Sequence, residues 1–135
     1  MVLENPLYLI YIDGASSGNP GPAGIGILVC RDGEKIHSIS RSIGKTTNNV
    51  AEYKALITGL KYGVKNGIKN TKVYSDSELI VKQIQGKYSV RDIRLKKLYR
   101  EAMSLIKKIS TIEVIHIPSK ENREANRLAQ TGIKY

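Results

Sequence analysis

The sequence predicts an α/β domain: a mixed five-stranded sheet with helices on both faces. Three observations predict it. Short apolar runs rich in Ile, Val and Tyr alternate with turns bearing Gly, Pro and Asp. From Val50 onward apolar residues recur at helical spacing. The resulting order, three strands, a helix, a strand, two helices, a strand and a helix, limits the topology. The first three strands, joined by short connections, must be antiparallel. Strands separated by helices are expected to run parallel, with right-handed crossovers.

The elements follow in order. Leu7 to Ile12 is a short apolar run that reads as a buried strand ending at Asp13-Gly14. Residues 14–22, GASSGNPGP, read as a loop. Ala23 to Cys30 is a second strand, and Arg31-Asp32-Gly33-Glu34 a hairpin turn centred on Asp-Gly. Residues 35–43 make a third strand, polar enough to lie at an edge. After the polar loop Lys45 to Asn49, Tyr53, Leu56, Ile57, Leu60 and Val64 trace one side of a helix that Asn66-Gly67 stops. Thr71 to Ser75 is a fourth strand and Ser77 to Gln85 a short helix ended by Gly86. Asp92 to Ile109 is a longer helix, Ile112 to Ile117 a fifth strand closed by Pro118, and Glu121 to Gln130 a last helix.

At 135 residues the chain is expected to form one domain, 1–135, with a core that needs no staples. Hydrophobic residues at 41% and charged residues at 25% argue against disorder. No apolar run approaches the roughly 20 residues of a membrane span, so no membrane partner is expected. The first residues lack the basic start of a signal peptide, and Cys30 has no second cysteine to pair with. The expectation is a reducing, cytoplasmic setting. No obligatory protein partner is evident.

Charge points to a polyanion. Lys plus Arg total 22 against 12 acids, a formal balance of +10. Residues 1–30 hold no Lys or Arg, whereas residues 82–108 hold nine against two acids, Asp92 and Glu101. A solvated helix face would also account for the outer lysines.

Three acids stand out by position. Asp13 ends the first strand and Asp76 the fourth. If these strands are parallel neighbours, both carboxylates leave the sheet at its carboxyl edge, where open α/β sheets place ligands. Glu52, in the first turn of the first helix, leans over the same edge. Taken singly, each has a plainer reading: Asp13-Gly14 is a turn opener, and Glu52 and Glu78 stand where a capping box places its acid. Jointly, three hard oxygen ligands in a basic chain point to Mg²⁺ and a phosphate ester.

The segments YIDGASSGNPGPAG, TTNNVAEYKAL, YSDSELIVKQIQGKY and ENREANRLA, in this order, resemble a type 1 ribonuclease H over residues 7–130. The resemblance implies the ribonuclease H-like fold and a metal-dependent endonuclease that cuts the RNA strand of an RNA/DNA hybrid. It implies two Mg²⁺ ions, with Mn²⁺ able to substitute. Asp13 would bridge both, Glu52 and Asp76 would hold the one that stabilises the leaving 3′ oxygen, and the other would activate water. The fourth catalytic position falls on Asn126, where the family has Asp. An amide oxygen ligates metal without bringing charge, so the water-activating ion would be held more weakly. A substitution made to trap substrate and a naturally weakened enzyme both fit. Glu124, two residues earlier on the helix, points elsewhere.

The resemblance also assigns the hybrid contacts. Thr47 and Asn49 would grip the DNA strand, with Asn48 beside them. Asn19 and Asn49 would reach base edges in the minor groove. The backbone of Gly14, Ala15 and Ser16, with Glu52, would meet 2′-hydroxyls. By charge and apart from the resemblance, the basic segment 82–108 fits a phosphate-gripping surface, with Lys87 and Arg91 as its candidate contacts. The short run between Gln85 and Val90 leaves no room for the basic protrusion of some relatives, and no separate hybrid-binding domain is seen. His116 reads as structural, with Lys120 a cationic alternative near the site. The alternatives are a noncatalytic hybrid-binding module, which would have no use for the acids, and a junction resolvase, against which the TTNN and NPG segments speak.

Overall fold

The computed structural model describes residues 6–135. Five strands form one sheet in the order β3-β2-β1-β4-β5. They are β1 (Tyr8–Ser16), β2 (Gly21–Arg31), β3 (Glu34–Thr46), β4 (Asn70–Ser75) and β5 (Thr111–His116). β1 pairs antiparallel with β2, and β2 with β3, whereas β4 runs parallel to both β1 and β5. The helices are α1 (Asn48–Lys65), α2 (Glu78–Ile84), α3 (Ile93–Ile106) and α4 (Arg123–Gly132). Among the described residues no helix is long and apolar enough to cross a membrane.

Side-chain alternation divides the sheet. Ile10 and Ile12 of β1, Ile25, Ile27 and Val29 of β2 and Val73 of β4 point to one face. There they pack on Tyr53, Leu56 and Leu60 of α1, with α2 and α3 alongside. Leu28, Cys30 and Ala15 lie on the other face, which takes α4 through Leu128 and Ala129. Helices thus cover both faces. The close approach of α4 requires glycines. A Cβ on Gly24 would collide with the carbonyl of Ala129, and one on Gly26 with the carbonyl of Ala125.

The β2–β3 turn has positive φ at both Asp32 and Gly33 (51° and 83°), the two-residue hairpin that Asp-Gly predicts. Other boundaries move. β1 runs on to Ser16, so Gly14, Ala15 and Ser16 lie in a strand and not in a loop; Ile25, Gly24 and Ala23 of β2 stand opposite them. The loop shrinks to residues 17–20. β3 continues to Thr46 because Gly21 and Pro22 pair with its end. The last helix starts at Arg123, two residues later than the spacing predicts. A single 3₁₀ turn, Ser119–Glu121, precedes it and takes Glu121.

Candidate active site

The acids meet beside the carboxyl end of β4 and the start of α1, with Asp13 inside β1, three residues short of Ser16, and not at the strand end that the sequence predicts, because β1 goes on pairing with β2. Asp13 sits on β1, pointing to the α4 face, and is 8% exposed. Asp76 follows the last residue of β4 and is half-buried. Glu52 lies in the first turns of α1 and is 5% exposed. Its placement does not come from a capping box. Thr47 caps α1, its Oγ1 accepting from the Val50 amide at 3.3 Å, and Ser77 caps α2 in the same way. Glu52 Oε1 instead accepts from the Gly14 amide at 2.8 Å. That bond exists because Gly14 has no Cβ, which would strike the α1 backbone at Ala51 and Glu52.

One ligand oxygen from each of Asp13, Glu52 and Asp76 lies within 4.8 Å of the others. Such crowding resists full ionisation. Burial, reinforced by the neighbouring Asp76 carboxylate, pushes the Asp13 carboxyl up to about 8, against a lowering pull from the Gly14 amide. Burial and the Asp13 charge push Glu52 well above the usual carboxylate range. A buried, all-oxygen cluster that cannot hold its own charge is the donor set a hard divalent cation relieves.

Asn126 completes the cluster from α4. With the amide oriented by its neighbours, Nδ2 donates to Asp76 Oδ2 at 3.1 Å and to Asp13 Oδ2 at 3.2 Å, and Oδ1 accepts from Ser119 Oγ at 3.0 Å. Position 126 therefore faces the acids. Glu124 faces away, paired with Lys35 at 2.7 Å and Arg127 at 3.4 Å. Asn122, 1% exposed, carries α4 to the site: its Nδ2 donates to the carbonyl of Ile12, the residue before Asp13, at 2.9 Å.

A second polar feature adjoins the first turn of α1. Asn19 Oδ1 accepts from the Asn48 amide at 2.8 Å, which ties the 17–20 loop to α1. Asn19, Thr47 and Asn49 line a polar pocket of about 150 Å³, together with Asp92 and Arg94 of the α3 N-terminus. Arg94 is the cation that the fold brings to this loop. Arg91 does not line the pocket, and Lys87 lies on the exposed α2–α3 connection. Arg94 belongs to the basic segment in the sequence, but nothing local marks it out from its neighbours. His116 does lie in a regular strand, yet it is exposed at the end of β5 and not packed inside. Lys120 is exposed on the 3₁₀ turn.

Comparison with known proteins shows what the sequence and the fold are similar to. The family described as "Reverse transcriptase-like" matches residues 11–132. The "Bifunctional protein Rv2228c" of Mycobacterium tuberculosis is 42% identical over 127 residues, covering 93% of this chain and 35% of that protein. Its N-terminal RNase H domain superposes with a TM-score of 0.91 at 38% identity, over 95% of this chain and 99% of that one. "Ribonuclease HI" of Halobacterium salinarum is 36% identical over 91% of this chain and 62% of its own length. The chain thus spans about a third to three fifths of these two proteins. LC11-RNase H1, solved in complex with an RNA/DNA hybrid, has a TM-score of 0.88 and 38% identity, covering 93% of this chain and 96% of that one. With its sheet order, its acid cluster and these relatives, the chain belongs to the type 1 ribonuclease H family.

Proposed function

We propose that this domain hydrolyses the RNA strand of RNA/DNA hybrids with the help of Mg²⁺, at a rate reduced by Asn126. The observation that carries the reading is the convergence of Asp13, Glu52 and Asp76 within 4.8 Å inside a chain of +10 formal charge. Only a cation reconciles those carboxylates with a phosphate diester. Asp13, Glu52 and Asp76 would hold one ion, and Asp13 with Asn126 a second, weaker one. Divalent ions there supply Lewis acidity for the attacking water and for the departing 3′ oxygen.

The chain's own residues do the rest. Glu52 is locked by the Gly14 amide, so the acids meet an arriving ion with little rearrangement. Asn19, Thr47, Asn49 and Arg94 form a polar pocket that suits a backbone phosphate of the DNA strand, and it fixes the register of the duplex. Glu52 and the strand segment Gly14–Ser16 border the place where a 2′-hydroxyl would lie. Lys87, Arg91 and other cations of residues 82–108 add salt-sensitive attraction.

The test is cleavage of a labelled RNA/DNA hybrid in Mg²⁺ or Mn²⁺, beside RNA/RNA and DNA/DNA duplexes. Hybrid-only cutting is expected. Binding without cutting in either metal would make the domain a noncatalytic hybrid-binding module, the reading that an amide at position 126 favours.

A further inference from the structure

Asn126 meets two carboxylates with a hydrogen-bond donor. Its Nδ2 lies 3.1 Å from Asp76 Oδ2 and 3.2 Å from Asp13 Oδ2, and it has no lone pair to offer a cation. An amide N–H donates to a carboxyl oxygen in either protonation state, and the bond is the stronger where the acid is ionised. The amide therefore does in part what a cation would do: it brings positive charge to the gap between the two acids. Asp13 Oδ1 also lies 3.3 Å from Nδ2, so the amide reaches both oxygens of Asp13 and one of Asp76.

Ser119 makes the opposite orientation available as well. Turned over, the amide would present Oδ1 to the acid side, and Nδ2 would donate to Ser119 Oγ at 3.0 Å and to the Ser119 carbonyl at 3.3 Å. A hydroxyl both donates and accepts, so Ser119 Oγ satisfies the outward atom in either case. The inward atom is different. Facing carboxylate oxygens with no proton between, Oδ1 is repelled; facing a cation, it is a ligand.

Resting on the metal-dependent reading above, we propose that the Asn126 amide occupies the second cation's place in the free protein. It ties Asp13 to Asp76 through Nδ2 and turns over on Ser119 only when a second ion enters. The free domain then takes one divalent ion readily, and the second must displace the hydrogen bonds that Nδ2 makes to Asp76 and Asp13.

Counting bound ions tests this without any turnover of substrate. Mn²⁺ is titrated into the free protein and into Asn126→Asp, and bound ions are counted by electron paramagnetic resonance. The native chain is expected to bind one ion over the range in which Asn126→Asp binds two, its second site being weaker by roughly tenfold or more. The assigned side-chain NH₂ resonance of Asn126 is followed in parallel during Mg²⁺ addition. It is expected to stay near its metal-free position through the first equivalent and to move with the second. Two ions of matching affinity in the native chain would overturn the proposal, as would a resonance that moves fully with the first equivalent. An Asn126→Asp profile identical to the native one would overturn it too. Absence of Mn²⁺ binding in both proteins would instead sink the metal-dependent reading itself.

Discussion

Asp13 carries the most at the scale of single residues. It touches both Asp76 and Asn126, and its neighbour Gly14 orients Glu52. In any background that cleaves, Asp13→Asn is expected to lower the single-turnover rate by roughly 10²–10³-fold or more, and further than Glu52→Gln or Asp76→Asn. An Asp13→Asn variant faster than the other two would remove the bridging role. Asn126→Asp works in the opposite direction. It should raise the single-turnover rate by roughly tenfold or more at saturating hybrid, with hybrid affinity unchanged, because the added charge acts in the transition state. An unchanged rate across Mg²⁺ concentrations would show that position 126 is no ligand. Proton linkage gives a separate handle. Asp13, at about 8 in the folded chain against 3.8 in the unfolded one, is favoured by folding while protonated. Its contribution is complete below 3.8 and is lost as pH climbs toward 8. In chelator the melting temperature should therefore fall over that window, and Mg²⁺ should flatten the fall. Asp13, Glu52 and Asp76 could be read in the sequence as acids beside the predicted turns and helix start, whereas Asn126, inside the last helix, was legible only through the family resemblance. Arg94 was legible in neither way: its place beside Thr47 depends on how α3 lies against α1, which no local pattern encodes.

Elements explain where the sequence reading stopped short. The strands and helices were visible as apolar periodicity, and the hairpin as Asp-Gly. The continuation of β1 through Gly14–Ser16 was not, since a run of Gly, Ala and Ser has the composition of a loop. It becomes a strand because β2 offers partners and because small side chains let α1 and α4 come close. The same logic governs α4. Its docking rests on bare backbone at Gly24 and Gly26, so Gly26→Ala should cost roughly 1–3 kcal/mol in chemical denaturation and loosen position 126 with it. Asn122→Ala should cost about 1–3 kcal/mol, since the carbonyl of Ile12 would lose its buried donor. That variant should also lose cleavage beyond its loss of folded protein, because Ile12 adjoins Asp13. Cleavage per folded molecule, corrected by circular dichroism, separates the two effects.

For the molecule as a whole, charge and topology decide what can be measured. The site draws on residues 13, 52, 76 and 126, and on both faces of the sheet. Binding to a hybrid should weaken steeply with salt, log K falling by about 0.7–0.9 per phosphate contacted against log salt. A flat salt dependence would refute phosphate-dominated contacts. Binding at low salt should survive Asn126→Asp and Asp13→Asn alike. The docking of α4 on the glycines of β2 also bears on biosynthesis. Synthesis releases Asp13, Glu52 and Asp76 from the ribosome well before Asn122 and Asn126. Until the last helix emerges, the Ile12 carbonyl has no donor and the acids have no amide between them. A nascent chain that has reached α3 but not α4 thus already carries its excess of positive charge, while the site proposed above still lacks the wall that α4 supplies.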